Sequence, residues 1–139
     1  MARAPKKEES RGRPRLTEDS RLTGKQIKFV DHCKDMALAY KISDIVISAS
    51  IEPEAFGRVS VEAQSMQKLI IASNIGGSNE TVIDEKTGLL FEAGDSQSLC
   101  KKIIKALLMD ESTLKTIGIE GRKNIIKKFN VEKMCFSTY

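Results

Sequence analysis

Asp44-Ile45-Val46-Ile47-Ser48-Ala49, followed by Ser50-Ile51-Glu52-Pro53-Glu54-Ala55-Phe56-Gly57 and a helical pattern from Arg58, is the stretch on which the fold turns. Residues 44–49 are apolar and β-branched in a continuous run, the mark of a strand buried on both faces. Residues 58–66 read as a helix, and residues 68–73 (KLIIAS) form a second continuous apolar run. Strand, loop, helix and strand in succession make a parallel pair joined by a crossover helix.

The same alternation extends in both directions. Upstream, residues 26–31 (QIKFVD) read as a strand, and residues 34–41 (KDMALAYK) as a short helix with Met36, Ala37 and Tyr40 at helical spacing. Downstream, Gly76-Gly77-Ser78 marks a loop, residues 79–83 suit one helical turn, and residues 87–91 (TGLLF) suit a last short strand. Beyond Asp95 the chain is helical. Asp95 or Ser96 can cap residues 98–109, whose apolar stripe is Leu99, Ile103, Ala106 and Leu107. Residues 114–117 and 123–129 continue as separate helical segments, with Gly118 and Gly121 between them. The expected class is α/β: a partial doubly wound, Rossmann-like parallel sheet of about four strands with C-terminal helices, short of the roughly five or six strands of a full domain.

Composition sets the outer bounds. The chain has 139 residues, 40% hydrophobic and 30% charged, enough for one core and a solvated surface. No apolar run approaches the roughly 20 residues of a membrane span, and no secretory leader pattern opens the sequence. Three cysteines (Cys33, Cys100, Cys135) at wide spacing fit a reducing cytosol better than a disulfide framework or a thiolate zinc site. Residues 1–25 hold eight basic and four acidic groups, which accounts for the whole net charge of +4. The expected organisation is therefore a basic, disordered tail over 1–25 and a neutral globular part over 26–139. Within the tail, Arg11-Gly12-Arg13-Pro14-Arg15 resembles the core of an AT-hook, whose arginines suit the negative potential of a narrow minor groove. A nucleic-acid-binding protein acting through this tail is thus one alternative reading, although a solvated basic tail explains the same residues.

The chemistry points to the loop after residue 49. In an open α/β sheet, ligands bind at the carboxyl ends of the strands, where loops lead into helix N-termini. Orphan N–H groups and the helix dipole there suit a phosphate. Glu54 lies on the loop, and Glu62 lies about one turn into the helix that follows. Two carboxylates in such a place can accept hydrogen bonds from hydroxyls at two points of one extended ligand.

Residues 50–64 (SIEPEAFGRVSVEAQ) resemble the E-x7-E motif of retaining, nucleotide-sugar-dependent glycosyltransferases of the GT-B fold, in the group 1 family. Lys41-Ile42-Ser43-Asp44 is similar to that family's lead-in to the motif. Ile75-Gly76-Gly77-Ser78-Asn79-Glu80 resembles its G-G-x-x-E loop, and Thr87-Gly88-Leu89-Leu90-Phe91 with Gly94-Asp95 resembles its T-G-L-L ending. Four motifs in the family's order are far more specific than E-x7-E alone.

The resemblance implies that Glu54 is the catalytic-site glutamate that contacts donor-sugar hydroxyls. It implies that the backbone N–H groups of Phe56, Gly57, Arg58 and Val59 approach the sugar and diphosphate, and that Glu62 binds the ribose. Residues 31–36 match a segment near the base. No metal and no cofactor is implied; the donor nucleotide-diphosphate sugar is a substrate. The implied partners are that donor and a glycan or lipid-linked acceptor, with a separate chain supplying the missing acceptor domain. The implied setting is the cytoplasm, with peripheral contact at the inner face of a membrane a weaker reading of the lysines at Lys101, Lys102, Lys105, Lys127 and Lys128.

The chain departs from the family pattern at Gln67 and Leu69, where glycine and proline are usual. Gln67 would sit at a helix C-terminus that favours a left-handed residue. The acceptor domain and the first half of the donor domain, with its Arg/Lys pair for the leaving diphosphate, have no counterpart in the sequence. A non-catalytic remnant or weak nucleotide-binding module is therefore a second alternative. His32 has no partner motif and is expected to be a structural residue at a strand end.

Overall fold

The computed structural model describes residues 27–129. The expected tail over 1–25 and its AT-hook-like Arg11-Gly12-Arg13-Pro14-Arg15 lie outside those residues. The chain divides at Cys33, with a lead-in before it and a compact unit from Lys34 onward. Residues 27–31 carry no strand, which corrects the expectation for 26–31 and leaves His32 at no strand end. Alternating side chains suit a strand, but a strand exists only where a ladder pairs its backbone.

In the compact unit, helix α1 (Met36–Ile42) leads to strand β1 (Ile45–Ser48), helix α2 (Arg58–Ser65), strand β2 (Leu69–Ser73), helix α3 (Gly77–Thr81) and strand β3 (Leu89–Phe91). Helices α4 (Ser96–Leu107) and α5 (Glu111–Lys128) follow. The sheet among the described residues has three parallel strands in the order β1-β2-β3, rather than about four. Ile45 pairs in register with Leu69, and Ile71 with Leu89.

Every residue of β2 is buried, which explains its uninterrupted apolar run. Leu69 and Ile71 pack with Leu89, Phe91, Ala106 and Ile117 on the face covered by α4 and α5. Ile70 and Ala72 point the other way, into a cluster with Tyr40, Ala63 and Val82 beneath α1 and α2. The two clusters confirm an α/β sheet covered on both faces.

The capping of α4 matches the sequence expectation, and the course of α5 departs from it. Asp95 is the N-cap of α4, its carboxylate accepting from the N–H groups of Gln97 (2.9 Å) and Ser98 (3.1 Å). Helix α5 is continuous where two segments were expected, because Gly118 and Gly121 are contact points and not breaks. A Cβ on Gly118 would lie 2.2 Å from the Gln67 carbonyl oxygen, and one on Gly121 would lie 3.1 Å from Gln64 Cγ. Gln64 itself is fully buried and donates to the carbonyls of Ser60 (3.1 Å) and Thr81 (3.0 Å). Asn124 of α5 donates to the same Thr81 carbonyl at 3.0 Å, so α2, α3 and α5 share one polar seam.

Candidate functional site

The loop from β1 to α2 carries the expected residues. Gly57 is the N-cap of α2 with a left-handed backbone (φ 65°), and no side chain caps the helix. The first intrahelical bond runs from Val61 N–H to the Gly57 carbonyl at 3.2 Å. The N–H groups of Arg58 and Val59 precede it and have no acceptor within the helix. A helix start that presents bare donors, with the dipole behind them, suits an anion.

Two loops are hooked together here through backbone. Gly77 N–H donates to the Glu54 carbonyl at 2.7 Å. A Cβ on Gly77 would lie 2.3 Å from the Phe56 carbonyl carbon, and one on Gly76 would lie 2.6 Å from the Glu54 carbonyl oxygen. These contacts are closer than any side chain permits, so Gly76-Gly77 shapes the site by letting the second loop clamp the first. The buried hydroxyls of Ser60 and Ser78 meet at 3.3 Å just behind.

The two glutamates have different surroundings. Glu54 is exposed, and its Oε1 accepts from Ser50 Oγ at 2.5 Å, a bond that steadies the carboxylate on its loop. Glu62 is half-buried on α2 and turns towards α1. Its Oε2 accepts from the Tyr40 hydroxyl at 2.8 Å, and its Oε1 faces the Arg58 guanidinium at 3.4 Å. Burial, and then the bond to Glu62, push the Tyr40 phenol up to about 12.

Glu62 lines an open hollow of about 410 Å3 with Met36, Ala37, Tyr40, Arg58, Ser65 and Met66. Met36, the end of the segment expected near a base, therefore shares a hollow with the residue expected near a ribose. Glu54 is not among the residues lining it. Phe56 is half exposed at the mouth of the loop, its ring edge-on to Phe129 with centroids 5.3 Å apart. Neither the Tyr40 hydroxyl bond nor the Phe129 contact is visible in the spacing of the sequence. A second hollow of about 420 Å3, between α4 and α5, contains none of the motif residues.

Among the described residues, no helix is long and apolar enough to cross a membrane.

Comparison with known proteins agrees with this fold. The family described as Glycosyl transferases group 1 matches residues 8–124, beginning inside the expected tail. The capsular polysaccharide biosynthesis glycosyltransferase CapM of Staphylococcus aureus is 35% identical over 104 residues, which is 75% of this chain and 27% of CapM. The crystal structure of a Rickettsia africae glycosyltransferase superposes with a TM-score of 0.76 at 38% identity, covering 81% of this chain and 30% of that one. HepE of Anabaena, solved in complex with UDP and glucose, superposes with a TM-score of 0.65 at 31% identity, covering 72% of this chain and 27% of its own. The chain thus spans about a quarter to a third of the length of these relatives.

Proposed function

The chain belongs to the glycosyl transferases group 1 family, and we propose that it forms the donor-binding portion of a retaining enzyme that transfers a sugar from a nucleotide diphosphate to a glycan or lipid-linked acceptor. The observation that carries this reading is the α2 N-terminus, uncapped by any side chain and flanked by Glu54 and Glu62. In the proposed complex the diphosphate lies against the N–H groups of Phe56, Gly57, Arg58 and Val59. Glu54, held by Ser50, accepts hydroxyls of the donor sugar as the catalytic-site carboxylate. Glu62 accepts hydroxyls of the ribose, with the base directed towards the Met36 side of the hollow.

The dipole of α2 also favours charge that develops on the departing phosphate as the anomeric bond breaks. The acceptor site, and the cations that complete neutralisation of the diphosphate, belong to a companion domain or separate chain. A cytoplasmic setting fits the exposed Cys100 thiol. Contact with a membrane surface would run through the lysines of α4 and α5.

Isothermal titration of the full chain with uridine, guanosine and adenosine diphosphates and their glucose conjugates tests the reading. One of the series should bind, and Glu62→Gln should weaken it roughly tenfold or more, the worth of hydrogen bonds to a charged acceptor. Absence of heat with all of them, or equal affinity in Glu62→Gln, would overturn donor binding at this motif.

A further inference from the structure

Tyr40 is the buried residue of α1, with 5% of its surface exposed, and it packs in the cluster with Ala63, Ile70 and Ala72. Packing alone would be served equally by phenylalanine. The hydroxyl is the part that needs a partner, and it donates to Glu62 Oε2 at 2.8 Å.

Glu62 has few other restraints. Among the described residues its remaining partner is Arg58, whose side chain is 81% exposed and whose nitrogen stands 3.4 Å from Oε1. An ion pair so exposed and so long is weak and screened by salt. The firm anchor of the carboxylate is therefore Tyr40. Helix α1 is itself tied down, because Lys68 Nζ donates to the Lys41 carbonyl at 2.9 Å. With one oxygen engaged by the phenol, the carboxylate keeps free lone pairs on both oxygens at the wall of the hollow that it lines. Accepting two hydroxyls of a vicinal diol at once depends on that orientation more than on charge.

We propose that Tyr40 is a positioning residue that orients Glu62, and thereby determines how strongly this site prefers a ribose to a sugar lacking the 2′ and 3′ hydroxyls. The proposal rests on the reading of Glu62 as the ribose acceptor. Its readout is a preference between two ligands of equal charge, which a purely structural role for Tyr40 would not change.

The test compares affinities of the full chain for uridine diphosphate and 2′,3′-dideoxyuridine diphosphate, with the guanosine and adenosine pairs run in parallel. The variants are wild type, Tyr40→Phe and Glu62→Gln. Tyr40→4-fluorophenylalanine fills the volume of the hydroxyl without its donor, and serves if the phenylalanine variant fails to fold. The expected result is a wild-type preference for the ribose form that falls about tenfold without the Tyr40 donor, while affinity for the dideoxy form changes less than about twofold. A preference retained in the Tyr40 variants but lost in Glu62→Gln overturns the positioning role and leaves the reading of Glu62 intact. Equal loss of both ligands in the Tyr40 variants also overturns it, since packing alone would do that. A wild-type chain with no preference overturns the reading of Glu62 and this inference together.

Discussion

Gln67 shows how much one residue can say about a helix end. It follows α2 with φ 57°, the left-handed region that glycine occupies at little cost. Gln67 N–H donates to the Gln64 carbonyl at 3.0 Å and Lys68 N–H to the Ala63 carbonyl at 2.9 Å, the paired bonds of a Schellman ending. The backbone bonds are complete, so the side chain is the source of strain. Gln67→Gly should stabilise the chain by about 1 kcal/mol, read from the midpoint of chemical denaturation, and should leave nucleotide affinity unchanged. This position was legible in the sequence, because a helix stop with no glycine stands out against a family that uses one. Tyr40 was legible only in part. Its helical spacing marks it as buried, but no pattern tells a buried ring from a buried ring whose hydroxyl holds a carboxylate across two helices.

Helix α5 shows where sequence patterning reaches its limit at the scale of an element. Gly118 and Gly121 lower helix propensity by roughly 1 kcal/mol each against alanine, and so read as breaks. The structure uses them for contact: α5 runs unbroken and rests on the end of α2 at the Gln67 carbonyl. Propensity and packing then make opposite predictions for Gly118→Ala. A Cβ 2.2 Å from a backbone oxygen must displace α5 from α2, and overpacking of this kind costs roughly 1–3 kcal/mol, more than the propensity gain. The variant should unfold at lower denaturant than wild type; a higher midpoint would show that α5 is not seated where it is described. The strand expected at 26–31 is the converse case. Its alternation is real, but no partner is written into a sequence segment, and among the described residues no ladder includes it.

At the scale of the molecule, β2 is the centre. It pairs on both edges, is buried on both faces, and joins the two apolar clusters. Amide exchange should therefore be slowest over Leu69–Ser73 and faster in β1 and β3, whose outer edges pair with no further strand among the described residues. Exchange in β1 as slow as in β2 would mean that its outer edge is covered. The architecture was legible because continuous β-branched runs and loop glycines are strong signals. The site was legible in outline because its residues are close in sequence; the bonds from Ser50 and Tyr40 cross loops and helices, and spacing cannot show them.

The hooked loops have one further consequence. Glu54, Phe56 and Gly57 meet Gly76 and Gly77 backbone to backbone, so neither loop has a shape of its own to lend. They form one heritable part written in two places. Anyone wishing to transplant this site into a relative, or to exchange its donor preference by swapping segments, must move both loops as a matched pair.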